Sequence, residues 1–222
     1  DTVGFNYLQN KVPNIRDFLN KFNSLFNIFG AYLSGGYLRR VIITGDAFDH
    51  QNSDIDFFFS NEIKFRAAVD YVNSGDLDTF NKPTTIPYNS SRLSYKWNLN
   101  SKDPDFPNVT INLMSTIFDI KHRLAAWDLT NSKIATNNSV VIVDNRIDTF
   151  EEEGLINVDI FTTDSQIWLN RLARYLQPII KAESSPLASG TVDINQHSLD
   201  DIYSGFIILI SKVFCDWYNI LS

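Results

Sequence analysis

The chain has 222 residues, 44% of them hydrophobic and 20% charged, with 17 Phe, 9 Tyr and 4 Trp, which supplies a large apolar core and excludes wholesale disorder. Its net charge of −7 repels polyanions at long range, so any nucleic acid must find a local basic patch or another subunit. No apolar run approaches the roughly 20 residues that span a bilayer, and the lone cysteine, Cys215, excludes an intrachain disulfide.

Ile15, Phe18, Leu19, Phe22, Leu25 and Phe26 recur at three- and four-residue spacing after Pro13, the pattern of an amphipathic helix over about 13–28. Gly30 stops it, and Ala31-Tyr32-Leu33 reads as a short strand entering a Gly35-Gly36 turn. Residues 37–43 read as a helix ended by Gly45, and a polar loop follows over 46–53. Asp54-Ile55-Asp56-Phe57-Phe58-Phe59 then alternates acid and bulk as a strand does, which sets Asp54 and Asp56 on one face. Further on, 62–72 and 116–127 read as helices and 92–97, 109–114 and 140–143 as strands. Beyond these, 166–180 and 199–221 carry long helical patterns. The expected architecture is α+β: a head over 1–160 with a short mixed sheet flanked by helices, followed by a helical tail over 161–222.

Two aspartates one residue apart on a strand project to the same side, where they are able to ligate one divalent cation or a pair. Hard oxygen ligands suit magnesium, which bridges the phosphates of a nucleoside triphosphate and neutralises charge developing in an in-line displacement. A glycine turn opening a helix offers the complement, backbone N–H groups at a positive helix end where phosphate rests. Taken singly, an Asp-x-Asp pair is more often a solvated strand edge, and Gly-Gly is usually only a turn.

In order, however, Ser34-Gly35-Gly36-Tyr37-Leu38-Arg39-Arg40, Gly45 and Ser53-Asp54-Ile55-Asp56-Phe57-Phe58 resemble the head signature of the polymerase β-like nucleotidyltransferase superfamily, most closely the branch of CCA-adding enzymes and bacterial poly(A) polymerases. The resemblance implies that Asp54 and Asp56 are catalytic metal ligands for two Mg2+ ions, with Mn2+ able to substitute. It also implies that Gly35 and Gly36 hold the triphosphate and that Arg39 lies near it. The chain departs from that branch in three places. Arg40 stands where an acid usually follows the arginine, the loop between Gly45 and Asp54 is longer, and Asn112, in Val109-Thr110-Ile111-Asn112-Leu113-Met114, replaces a third carboxylate. An amide carbonyl can ligate a metal but cannot act as a general base.

A second likeness joins Trp127-Asp128-Leu129-Thr130 and Lys133-Ile134-Ala135 to a Phe-Asp-Phe segment and small apolar strand in some viral and phage nucleotidyltransferase-like proteins. Asp128 reads either as a site residue or as a turn acid, and Lys133 either as a phosphate contact or as a solvated lysine. Tyr37 is the aromatic residue placed to meet a base or ribose. Arg171 and Arg174, one helical turn apart, present two guanidinium groups toward nucleotide or acceptor, or else stand as surface arginines with Glu partners. His50, His122 and His197 lack ligand spacing, and Ser34 has no local base to make it a nucleophile.

Two functions follow from this reading. One is metal-dependent transfer of a nucleoside monophosphate from a triphosphate to an acceptor hydroxyl, on an RNA 3′ end, a protein or a small molecule. The other is a nucleotidyltransferase-shaped binding or assembly module that has lost chemistry, of viral or phage origin, for which Arg40 and Asn112 speak. The expected setting is soluble, away from membranes and cytoplasmic, in the host cytoplasm or a virion if the chain is viral. With Asp1 first and no initiator methionine or leader, the sequence reads as a processed product or a piece of something longer.

Overall fold

A computed structural model of the chain describes residues 1–49, 53–85, 87–91, 93–116, 119–125, 127 and 132–148. The expected tail over 161–222, the boundary near 160, Asp128, Arg171 and Arg174 lie outside the described residues. The chain divides into a compact unit of Asp1–Ala125 with Ile134–Val143, which carries the site, and a second drawn from Ala126–Lys133 and Asp144–Ser222.

The first unit is α+β, built on a mixed sheet. Its strands are β1 (Thr2–Gly4), β2 (Tyr32–Ser34), β3 (Ile55–Phe59), β4 (Tyr88–Ser91), β5 (Ser94–Leu99), β6 (Val109–Ser115), β7 (Ile134–Thr136) and β8 (Val140–Val143). They lie in the order β1-β8-β7-β2-β3-β6-β5-β4, one mixed sheet of eight strands among the described residues. The β3–β6 pair is parallel and the other pairs are antiparallel. The helices are α1 (Asn6–Lys11), α2 (Ile15–Leu19), α3 (Asn23–Asn27), α4 (Gly36–Thr44), α5 (Glu62–Asn73) and α6 (Ile120–Ala125).

The apolar stripe after Pro13 does bury itself, but not as one helix: a 3-10 turn at Asn20–Phe22 separates α2 from α3. Asparagine side chains compete with helical backbone for hydrogen bonds. Here Asn20 and Asn23 turn their Oδ1 atoms to the Asn138 amide, at 3.2 and 2.8 Å. The expected helix over 116–127 also starts later. Thr116 still belongs to the sheet edge, its N–H donating to the Phe59 carbonyl at 2.8 Å. Asp119 then caps α6, its Oδ1 accepting from the His122 N–H at 3.0 Å.

The core sets the register of β3. Phe57 lies against Phe22 and Phe26, with ring centroids 5.3 and 5.6 Å apart, and Phe59 lies 5.8 Å from Phe65 on α5. Ile55, Phe57 and Phe59 are all buried. Each buried aromatic ring contributes about 2–3 kcal/mol, and a one-residue slip would drive the acids into that core and expose the rings. The aromatic face therefore holds Asp54 and Asp56 on the opposite side.

Candidate active site

Helix α4 begins at Gly35, which takes φ +97° and ψ −160°, a conformation that side chains with a β-carbon rarely adopt. The first-turn amides of a helix have no carbonyl one turn back to bond, so this end carries partial positive charge. The two glycines differ in what they meet. A β-carbon on buried Gly35 would stand 2.7 Å from Asp56 Oδ2, whereas one on exposed Gly36 would meet nothing within 4 Å. The turn and the acid strand are thus in contact, with open space beside them.

Strand pairing explains the convergence. Ser34 is opposite Asp56, Asp56 opposite Asn112, and Asn112 opposite Lys96, one row across four strands. The Asn112 Nδ2 donates to Asp56 Oδ1 at 2.8 Å and to Asp54 Oδ2 at 3.2 Å, so both carboxylates gather on one amide. Lys96 Nζ forms an ion pair with Asp54 Oδ2 at 2.9 Å. Burial, the largest influence, pushes the Asp56 carboxyl up to about 6. The Asn112 hydrogen bond opposes that shift, the neighbouring Asp54 charge adds to it, and the Lys96 and Arg123 charges oppose it.

Lys96 and Arg123 escaped the sequence reading. Strand alternation between Tyr95 and Trp97 was the available signal for Lys96, but only the pairing of β5 with β6 brings it to the acids. Arg123, on α6, stacks its guanidinium over Phe58 at 5.8 Å from the ring centroid, and nothing local in sequence links the two.

Three of the expected site residues are buried. Tyr37 is fully buried, stacked on Phe18 at 4.9 Å, with its hydroxyl donating to the Ala47 carbonyl at 2.9 Å. A ring so placed packs in the core, because α4 turns that face inward. Burial pushes its phenol above the ordinary range. Arg39, also on α4, is 4% exposed, and its side chain is an interior one. Lys133 is buried rather than solvated. Ser34, fully buried, donates its hydroxyl to the Ile134 carbonyl at 2.6 Å, so it is structural.

Arg40 also has a local role. Its Nε donates to the Asp49 carbonyl at 2.9 Å and its Nη2 pairs with the Asp49 carboxylate at 3.5 Å. Asn14 secures the same loop from α2, donating to Asp46 Oδ1 at 3.0 Å and accepting from the Ala47 N–H at 2.9 Å. The first part of the long loop before the acids is thereby anchored to α2 and α4.

A divalent cation here would draw on Asp54, Asp56 and Asn112. Among the described residues no three His, Cys, Asp or Glu side chains group as ligands. The donors nonetheless fit a hard cation: two carboxylates converge on one amide, and half a turn of the Asn112 side chain presents its oxygen.

With its glycine turn, helix end and paired acids on a mixed sheet, this unit is similar in fold to solved CCA-adding enzymes. Among solved structures, the Thermotoga maritima CCA-adding enzyme complexed with tRNA is similar, at 18% identity and TM-score 0.55, over 79% of this chain and 41% of that one. So are a CCA-adding enzyme in apo form I, at 19%, TM-score 0.51, 79% and 41%, and one in complex with ATP, at 19%, TM-score 0.50, 82% and 42%. The chain spans about two fifths of the length of these relatives. No protein-family model and no curated protein matches it.

Proposed function

We propose that the chain is a metal-dependent nucleotidyltransferase. A nucleoside triphosphate rests on the Gly35-Gly36 turn, an acceptor hydroxyl attacks its α-phosphorus, and pyrophosphate leaves. The observation that supports this is the contact of Gly35 with the Asp56 carboxylate, which sets the first amides of α4 beside the acid strand, where phosphate and a divalent cation would meet. Asp54 and Asp56, with the Asn112 carbonyl, would hold magnesium or manganese, which supplies neutralisation of phosphate charge. Asn112 takes no proton, so the acceptor's proton passes to a carboxylate or to water.

The acceptor favoured by the relatives' complex with tRNA is an RNA 3′ end. With a net charge of −7, this chain would hold RNA through a local basic surface or a partner. A cytoplasmic setting accords with triphosphate supply, and among the described residues no helix is long and apolar enough to cross a membrane. Arg171 and Arg174 remain proposed nucleotide contacts.

Pyrophosphate release, measured with each triphosphate, Mg2+ or Mn2+, and RNA, protein or small hydroxylated acceptors, tests the proposal. Turnover lost in Asp54→Ala supports it; none in the wild type with any combination refutes it.

One observation favours the alternative, a chemically silent binding or assembly module. Lys96 and Asn112 already satisfy the Asp54 carboxylate without a metal. Such a module would show no metal-dependent triphosphate binding in calorimetry.

A further inference from the structure

Lys96 sits on the acids' face of the sheet, in the row Ser34–Asp56–Asn112–Lys96. Its ammonium reaches the same oxygen, Asp54 Oδ2, that Asn112 touches and that a divalent cation would need. The pair is partly open to water, with side-chain exposures of 41% for Lys96 and 35% for Asp54. An ion pair of that exposure is weak enough to be displaced.

We propose that Lys96 is a tethered counter-cation of Asp54 that competes with the divalent metal for the site, so that a bare metal ion binds weakly until Lys96 is displaced. This rests on the reading of Asp54 and Asp56 as metal ligands. The physical reason is charge exclusion: an ammonium hydrogen-bonded to a carboxylate oxygen and a cation ligated by that oxygen repel one another at short range. Swinging out, the Lys96 ammonium remains on the open face, one strand from Asn112, where a metal-bound triphosphate would offer it oxygens. Metal and triphosphate would then be favoured together over metal alone.

The test is Mn2+ binding to the full chain without nucleotide, followed by electron paramagnetic resonance of the free ion. Lys96→Met should tighten Mn2+ binding about twofold to fivefold, the scale of one exposed ion pair. Lys96→Arg, which keeps the charge, should stay near wild type. In an Asp54→Asn background the Lys96→Met change should lose its effect. As a second measurement, Mn2+ should raise the rate at which an amine-reactive reagent labels Lys96, read by mass spectrometry. Wild-type Mn2+ binding that Lys96→Met leaves unchanged or weakens overturns the competition while leaving the metal site standing. Absence of Mn2+ binding in wild type and Lys96→Met alike overturns both.

Discussion

The backbone of Gly35 lies directly against the carboxylate of Asp56, so close that a β-carbon at position 35 would stand 2.7 Å from Oδ2. The glycine's φ of +97° independently penalises a side chain there. Gly35→Ala should therefore destabilise the fold by about 1–3 kcal/mol, the cost of a residue held in a sparsely populated backbone region. Gly36→Ala meets open space and should leave stability within about 1 kcal/mol of wild type, as for an ordinary Gly-to-Ala change in a helix. Urea denaturation of the two variants checks this; equal losses would contradict the contact.

The raised Asp56 carboxyl makes stability fall as pH rises. Its ordinary value of 3.8 moves to about 6 in the folded chain. Well below pH 3.8 both folded and unfolded states hold the proton. Between about 4 and 6 the unfolded chain releases it first, and the folded state loses about 2–3 kcal/mol relative to it. Asp56→Asn in metal-free buffer should consequently stabilise the protein at pH 8 and change little at pH 4. Parallel stability profiles for variant and wild type would contradict this account.

Tyr37→Phe separates a core role from a nucleotide contact. Removing the hydroxyl leaves the Ala47 carbonyl without that donor, which should cost about 1–2 kcal/mol in denaturant unfolding. Triphosphate affinity, measured by calorimetry at a temperature where the variant is folded, should not change.

Arg40→Met should cost about 1–3 kcal/mol by removing charge-assisted bonds to Asp49. Arg40→Glu should cost more, because it sets like charges together beside Asp49. Proteolysis near residue 49 should quicken in both.

How legible this was in the sequence depended on local period. The helix after Gly36, its stop at Gly45 and the strand carrying Asp54 and Asp56 were readable, because alternation and glycine punctuation act within a few residues. Strands β1 and β4 were not. Neither carries an apolar run as β2 and β8 do; β1 is a strand only because Thr2 meets Ile142 across the chain, and β4 only through its pairing with β5. The burial of Tyr37 was hidden for a related reason: its spacing fits a helix, but which face of that helix turns to the Phe18 ring is settled by packing. Lys96 was invisible because strand register is a long-range property.

The most direct measurement is calorimetric binding of a non-hydrolysable nucleoside triphosphate with and without Mg2+, to wild type, Asp54→Ala and Asp56→Asn. Binding by the wild type that needs Mg2+ and disappears in both variants, while each remains folded by circular dichroism, is the predicted result. Triphosphate binding indifferent to Mg2+ and to both substitutions, or no binding at all, would contradict the site built from Gly35, Asp54 and Asp56.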